Sequence, residues 1–294
     1  MPECAAASAP NGASMRKRHR LLLGWLLPGL VAVLAACNSD SRQLSERAEA
    51  SWRLGNYEDA IQLNTLLYER DPESKYAAQA CLNIGNIYYL NLRQIDNAVV
   101  EYKKLIEKQP QAPEASKARE QLAAIYENEL DDWTQAISQY DKLLEGQNPE
   151  SRAEILFKRA NAYFHLEDYS RAWRELRLIE DSGEGGTHLL DQVRLKLGNI
   201  DQIRRQYQDA ADYFGKVLNS PCPECRRRAV LNLCETYESL LEFDRAIETI
   251  RMLDHTPEDE ELAEKEVARI TERRQRMDSG KLLNWNYPHT APKK

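Results

Sequence analysis

Few side chains in this sequence are spaced for chemistry. Cys222-Pro223-Glu224-Cys225 places two thiols three residues apart in a turn. That spacing suits a local disulfide, a reactive thiolate, or half of a zinc site. Cys225 precedes a helical segment and is followed by Arg226, Arg227 and Arg228. A helix N-terminus and nearby cations lower a thiol pKa and favour the thiolate. A zinc site needs two more ligands, and the sequence holds no second pair of this kind. The five histidines, His19, His165, His188, His255 and His289, form no pairing suited to a metal. No HExxH or GxSxG signature occurs. Ser182-Gly183-Glu184-Gly185-Gly186 lacks the GK[ST] ending of a phosphate loop. It reads instead as a flexible joint. The expectation is a protein with no catalytic residues, no metal and no cofactor, hence not an enzyme. For Cys222 and Cys225, a structural or labile disulfide ranks first, then free thiols, then metal or redox function.

The N-terminus carries a different chemistry. Arg16, Lys17, Arg18, His19 and Arg20 form a basic segment. An apolar run from Leu21 to Leu34 follows, interrupted by Gly24, Pro28 and Gly29. It is short for a membrane span. It ends in Leu34-Ala35-Ala36-Cys37, which resembles the lipobox of bacterial lipoproteins. The resemblance implies cleavage before Cys37, diacylation of its thiol and acylation of the new amino group. Two or more acyl chains hold a protein stably on a bilayer. Asn38, rather than aspartate, points to the outer membrane under the sorting rule of such lipoproteins, with the inner membrane as the alternative. Residues 1–36 thus read as a signal peptide, with Met15 as an alternative start, and 37–43 as a lipidated tether; an ordinary secretory signal or an uncleaved anchor is the competing reading.

The rest of the chain must position whatever it binds, and it does so by repetition. Ala60, Ala98, Ala136, Ala172, Ala210 and Ala246 recur at spacings of 38, 38, 36, 38 and 36 residues. Three residues before each lies Tyr57, Ile95, Trp133, Tyr169, Tyr207 or Phe243. A second small residue recurs upstream as Ala48, Gly85, Ala123, Ala160, Gly198 and Cys234. Three after it stands Tyr88, Tyr126, Tyr163 or Tyr237, with Ser51 and Asp201 as exceptions. Two helices that meet at small residues, wedged by bulky neighbours, describe a helical hairpin. One hairpin cannot bury its apolar face alone, but a stack of them can. The phased copies resemble the tetratricopeptide repeat (TPR) family over roughly residues 41–257. Repeats 2 and 3 share a one-residue insertion in the break between their helices.

The expected fold is therefore all-α, a TPR solenoid of about six repeats with a C-terminal capping helix. The repeats fall at about 44–72, 76–110, 114–149, 152–183, 188–221 and 225–257. A charged helix at 258–278, with Leu262, Val267 and Ile270 as its thin apolar face, caps the stack. Residues 279–294 form a flexible tail. The Ser182–Gly186 joint would let repeats 1–4 and 5–6 move as two blocks. Cys81 and Cys234 lie inside first helices, where free cysteine packs as a small hydrophobe. A thioredoxin-like role for Cys222 and Cys225 needs a preceding strand, and their context here is helical.

The resemblance implies that the first helices line a concave groove that takes protein or peptide partners. With the small residue as position eight of each repeat, positions five and twelve point inward. They give Leu82 and Tyr89 in repeat 2 and Phe157 and Phe164 in repeat 4. Leu195, Leu231 and Trp52 are the corresponding residues of repeats 5, 6 and 1. Position nine carries Asn86, Asn161 and Asn199, whose amides suit a peptide backbone. Some TPR proteins grip a carboxylate with lysine at position five and asparagine at nine. Here Leu or Phe fills position five of the asparagine-bearing repeats, so that clamp is not expected. Packing inside the stack is the competing role for these residues.

The acidic balance, net charge −7, argues against nucleic acid as a partner. The style of the repeats is similar to envelope TPR lipoproteins, including that of the β-barrel assembly machinery, and to periplasmic TPR proteins. The implied role is a lipid-anchored envelope scaffold, facing the periplasm, in outer-membrane protein assembly. A pilus, secretion or division complex is the alternative, and a thiol-redox factor a more distant one.

Overall fold

The computed structural model describes residues 40–146, 152–254 and 256–279. Cys37, the signal segment and the tail lie outside them. Among the described residues all regular structure is helical, and none of the helices is long and apolar enough to cross a membrane. The chain divides into two compact units, one up to Ile125 and one from Tyr126 onward. The division falls in the third repeat, not at the glycine stretch where the sequence suggested a joint. That stretch is a tight turn, with Gly183, Gly185 and Gly186 all at positive φ.

In the first unit, α1 (residues 40–53) and α2 (Tyr57–Arg70) form one hairpin. The second joins α3 (Ala77–Asn86) to α4 (Ile95–Lys108), and α2 packs on α3. Residues 40–43, expected as tether, are the first turn of α1. The Ser41 hydroxyl donates to Asp71 at 2.9 Å, and Arg70 pairs with Asp40 at 3.0 Å, which ties this turn to the end of α2. Leu44, Leu67, Ala77 and Ala80 form a core beneath it. Helix α5 (Pro113–Asn128) starts with proline, which suits a first helical position.

In the second unit, the end of α5 leads to α6 (Trp133–Glu145), which packs on α7 (Arg152–His165). The hairpins are α7 with α8 (Tyr169–Ser182), α9 (Gly186–Ile203) with α10 (Tyr207–Gly215), and α11 (Pro223–Ser239) with α12 (Phe243–Ile250). Helix α13 (Pro257–Asp278) covers α12 as the cap. Ile270 is fully buried there, and Leu262, Val267 and Met277 pack on the same core. Side-chain caps start several helices: Asp132 accepts from the Gln135 N–H, Asp168 from Arg171, and Thr256 from Asp259.

The repeat is written in the backbone as well as in the packing. Gly55, Arg93, Asp131, Glu167, Arg205 and Leu241 each adopt a left-handed conformation two residues before a second helix. Such a residue ends the first helix and lets the next amide reach back to an orphan carbonyl. In four repeats that bond spans five residues: Asn56 to Ser51, Asp168 to Tyr163, Gln206 to Asp201 and Glu242 to Tyr237. In the two repeats with the insertion it spans six, Gln94 to Tyr88 and Asp132 to Tyr126. Repeat 2 takes up its extra residue as the π-helical turn Ile87–Asn91. The six alanines of the second helices are all fully buried.

Candidate functional site

Helices α7, α9 and α11 carry the wall of a cleft of about 380 Å³ in the second unit. Phe157, Lys158, Asn161 and His165 reach it from α7, Gln192 and Lys196 from α9, and Arg228 from α11. Glu127, Asn128 and Trp133 close one side. Helical periodicity explains the set, since residues three, four and seven apart share a face. The Trp133 and His165 rings stack at 4.0 Å and nearly parallel, and Phe164 meets Tyr169 edge-on at 5.3 Å. The Lys196 ammonium lies over the Phe164 ring, 4.4 Å from its centroid.

The cleft favours an anion. Lys158, Lys196 and Arg228 stand against one lining carboxylate, Glu127. Burial, with Arg228 adding repulsion, lowers the Lys196 pKa. Burial and then Lys196 lower that of His165 below its usual 6.5. Burial raises the Glu127 pKa, opposed by a Tyr140 hydrogen bond and by Lys158. A bound carboxylate would relieve the crowding of cations. Beside them the Asn161 side-chain carbonyl is buried without a hydrogen-bond partner, and leaving such an acceptor unpaired is costly. A peptide N–H is the donor it suits.

The other residues expected in a groove are placed differently. Leu82 and Leu195 are buried, at 4% and 1% exposure, and serve packing rather than an open face. The Asn86 carbonyl oxygen accepts the Tyr102 hydroxyl at 2.7 Å, and that of Asn199 accepts from the Asn232 amide at 2.9 Å. Both amides are thus engaged inside the stack. The Trp52 indole donates to Asn91 at 2.9 Å, and the Arg93 guanidinium sits 6.0 Å from the Tyr89 ring centre. Leu231 packs against the core containing Leu233 and Cys234. Repeat 4 presents its position-five and position-nine residues, Phe157 and Asn161, to this cleft. The cations come from positions the pattern did not single out: six for Lys158 and Lys196, two for Arg228. A cationic set is therefore assembled across three repeats instead of within one.

The cysteine turn caps α11. Cys222 and Cys225 are joined as a disulfide with Cα atoms 5.2 Å apart, and the Cys225 N–H points at the Cys222 sulfur, 3.2 Å away. Arg226 and Arg227 turn away, to Asp254 and Asp259. Burial pushes the Cys81 thiol up to about 11, and burial with the nearby Glu238 pushes Cys234 up to about 12. Both are free and buried, and thiols held protonated in this way are inert.

A second cleft, of about 340 Å³, lies against α8 and α10. Trp173 is flanked there by the Arg177 and Arg204 guanidiniums, 5.7 and 5.8 Å from its ring. Asp201 replaces the repeat tyrosine and is only 2% exposed. Burial, followed by Asp209, raises its pKa from 3.8 to about 6, against the pull of Arg204 and Arg177. Asp212, Tyr213 and Lys216 complete the surroundings. The folded state holds this proton more tightly than the unfolded chain does. Asp201 therefore takes nothing from stability below about pH 4, and its cost grows as pH rises through about 6. That gap corresponds to at most about 3 kcal/mol. Asp201→Asn is expected to stabilise the protein at pH 8 by about 1–3 kcal/mol and to have little effect near pH 4. Urea unfolding of both proteins at the two pH values checks this; an equal difference at both would remove the assignment.

Residues 78–111 and 122–185 match family models of the tetratricopeptide repeat. The fold is that of TPR proteins. No curated protein matches the chain. Among solved structures, a TPR protein from Parabacteroides merdae superposes with a TM-score of 0.53 at 18% identity, over 85% of this chain and 94% of its own. PilW, described as a widely conserved type IV pilus biogenesis factor, gives 0.50 at 15% identity, over 76% and 97%. YrrB, described as a TPR protein with an unusual peptide-binding site, gives 0.50 at 17% identity, over 66% and 94%.

Proposed function

We propose that this chain is a lipid-anchored scaffold of the cell envelope, without catalysis of its own, that binds polypeptides in the cleft on α7, α9 and α11. The observation that supports the binding role most is the unpartnered Asn161 carbonyl beside Lys158, Lys196 and Arg228, with Phe157 and Trp133 alongside. These groups match an extended segment carrying a backbone N–H, a carboxylate and an apolar side chain. The anchor is Cys37, which lies outside the described residues. By its resemblance to envelope TPR lipoproteins, the leading process is outer-membrane protein assembly, on the periplasmic face of the outer membrane. A pilus-assembly scaffold is the second reading, because PilW shares the fold.

Photoreactive residues at Phe157 and Gln192, compared with one at exposed Glu264 on α13, test the cleft in cells. Discrete polypeptides are expected from the two cleft sites and not from α13. Lys196→Glu is expected to cut their yield about tenfold, which corresponds to about 1.4 kcal/mol. Recovery of β-barrel assembly components favours the first process, and of pilus components the second. Equal yields from the cleft and from α13 would rule the cleft out.

A further inference from the structure

We infer that the dithiol form of the cysteine turn is a metal site, completed by His188, that holds a zinc ion between α9 and α11. The two thiols alone lack ligands, but the fold supplies a third from 34 residues upstream. A ring nitrogen of His188 and the sulfurs of Cys222 and Cys225 all lie within 4.8 Å of one another. Two thiolates and an imidazole are a ligand set that zinc takes in tetrahedral sites, with water in the fourth position.

The surroundings are arranged to hold such a set. The Cys225 N–H directed at the Cys222 sulfur, at 3.2 Å, stabilises negative charge there, as does the N-terminus of α11. The turn itself is fixed from behind. Asp191, 2% exposed, accepts the Ser220 hydroxyl at 2.5 Å, and that oxygen accepts the Cys222 N–H at 3.0 Å. Asp191 lies one turn after His188 on α9, so one buried carboxylate connects the helix carrying the histidine to the turn carrying the thiols. His188 is exposed, and its ring lies 3.5 Å from the Gln192 amide, which lines the cleft. Bound zinc would thus join repeats 5 and 6 at the end of the cleft.

The disulfide and the metal exclude each other. A dithiol reductant breaks the Cys222–Cys225 bond by passing it two electrons and two protons, and closes its own disulfide. Zinc then displaces the two thiol protons to solvent, so binding strengthens as pH rises. The metal-bound form belongs to reducing conditions and the bridge to oxidising ones.

The test uses the full chain, reduced with a dithiol and freed of it anaerobically. Zinc is titrated against a chromophoric chelator, and cobalt(II) serves as the spectroscopic probe. The other cysteines are present in every variant, so differences report this turn. The expected result is one tight equivalent with a cobalt–thiolate charge-transfer band, lost in Cys222→Ser/Cys225→Ser. His188→Ala, at an exposed position and checked for an intact fold by circular dichroism, is expected to weaken binding at least about tenfold. Oxidised protein is expected to lack the tight equivalent. Retention of that equivalent in the double serine variant or in oxidised protein would overturn the inference. So would unchanged affinity in His188→Ala, or a cobalt spectrum without thiolate bands.

Discussion

Gly198→Ala is expected to destabilise the second unit by about 1–3 kcal/mol, although alanine occupies the same repeat position at Ala48, Ala123 and Ala160. An added Cβ would lie 2.5 Å from the Phe214 ring edge and 2.6 Å from its tip. Phe214 is fully buried in the core that also holds Leu195, Val217 and Leu233, so its ring cannot swing into solvent. Either α9 moves off α10 or the ring leaves its rotamer. Helix propensity alone predicts the opposite sign, because alanine is the better helix former by about 1 kcal/mol. The experiment therefore separates packing from propensity. Phe214→Leu alone is expected to cost stability by leaving space, yet to recover part of the loss in the Gly198→Ala background. A coupling of about 0.5–3 kcal/mol in a double-mutant cycle is the expected outcome. Strict additivity in urea unfolding, or a gain from Gly198→Ala alone, would show that the ring does not set the size limit.

The same pair shows what could be read from the sequence. Glycine rather than alanine occurs at position eight in repeats 2 and 5. In those repeats the residue four after the second-helix alanine is a large aromatic, Tyr102 and Phe214. An added Cβ on Gly85 would meet the Tyr102 ring at 2.5 Å, as on Gly198 it meets Phe214. Repeat 4 instead matches Ala160 with Leu176, and repeat 6 matches Cys234 with Ile250, whereas repeat 3 keeps Ala123 with the aromatic Tyr140, so the exchange is not uniform. The small-residue period was legible because steric size is a property of single residues. The exchange of volume between partners is legible only once the helices are paired. The inserted residue in repeats 2 and 3 was likewise visible as a count, whereas its conversion in repeat 2 into the π turn that follows α3 depends on local hydrogen bonding.

The cleft was half legible. A one-helix phase finds Phe157 and Asn161, because both lie on the inward face of α7. It cannot find Lys196 and Arg228, which belong to later repeats and approach through the stacking of α9 and α11. The same phase assigned Leu82 and Leu195 inward, but neighbouring helices bury them. His188 could not be connected to Cys222 and Cys225 from spacing, since only the return of the chain through α10 brings them together.

Glu238→Ala is expected to lower stability by about 2–4 kcal/mol and to release α13 first. The sequence gives α13 only a thin apolar face, yet the helix is held over its length. Glu238, on α11 and 2% exposed, receives Arg269 through both carboxylate oxygens and Arg273 at 2.9 Å. Burial works against the Arg269 charge, but the hydrogen bonds it donates to Glu238 and Glu266 outweigh it and keep its pKa raised. Removing the carboxylate leaves two facing guanidiniums without their shared partner. The cost falls below the upper range for buried pairs, because the Arg269 and Arg273 side chains are 48% and 25% exposed and can recover water. Arg273→Ala is expected to cost less than Glu238→Ala, since Arg269 still satisfies the carboxylate. Hydrogen exchange along α13 distinguishes a local release from a global loss. Protection should fall in residues around Ile270 before it falls in α9. If exchange in α13 were unchanged in Glu238→Ala, the burial of Ile270, Val267 and Leu262 would suffice to hold the cap. The ion cluster would then serve only to set its angle on α11.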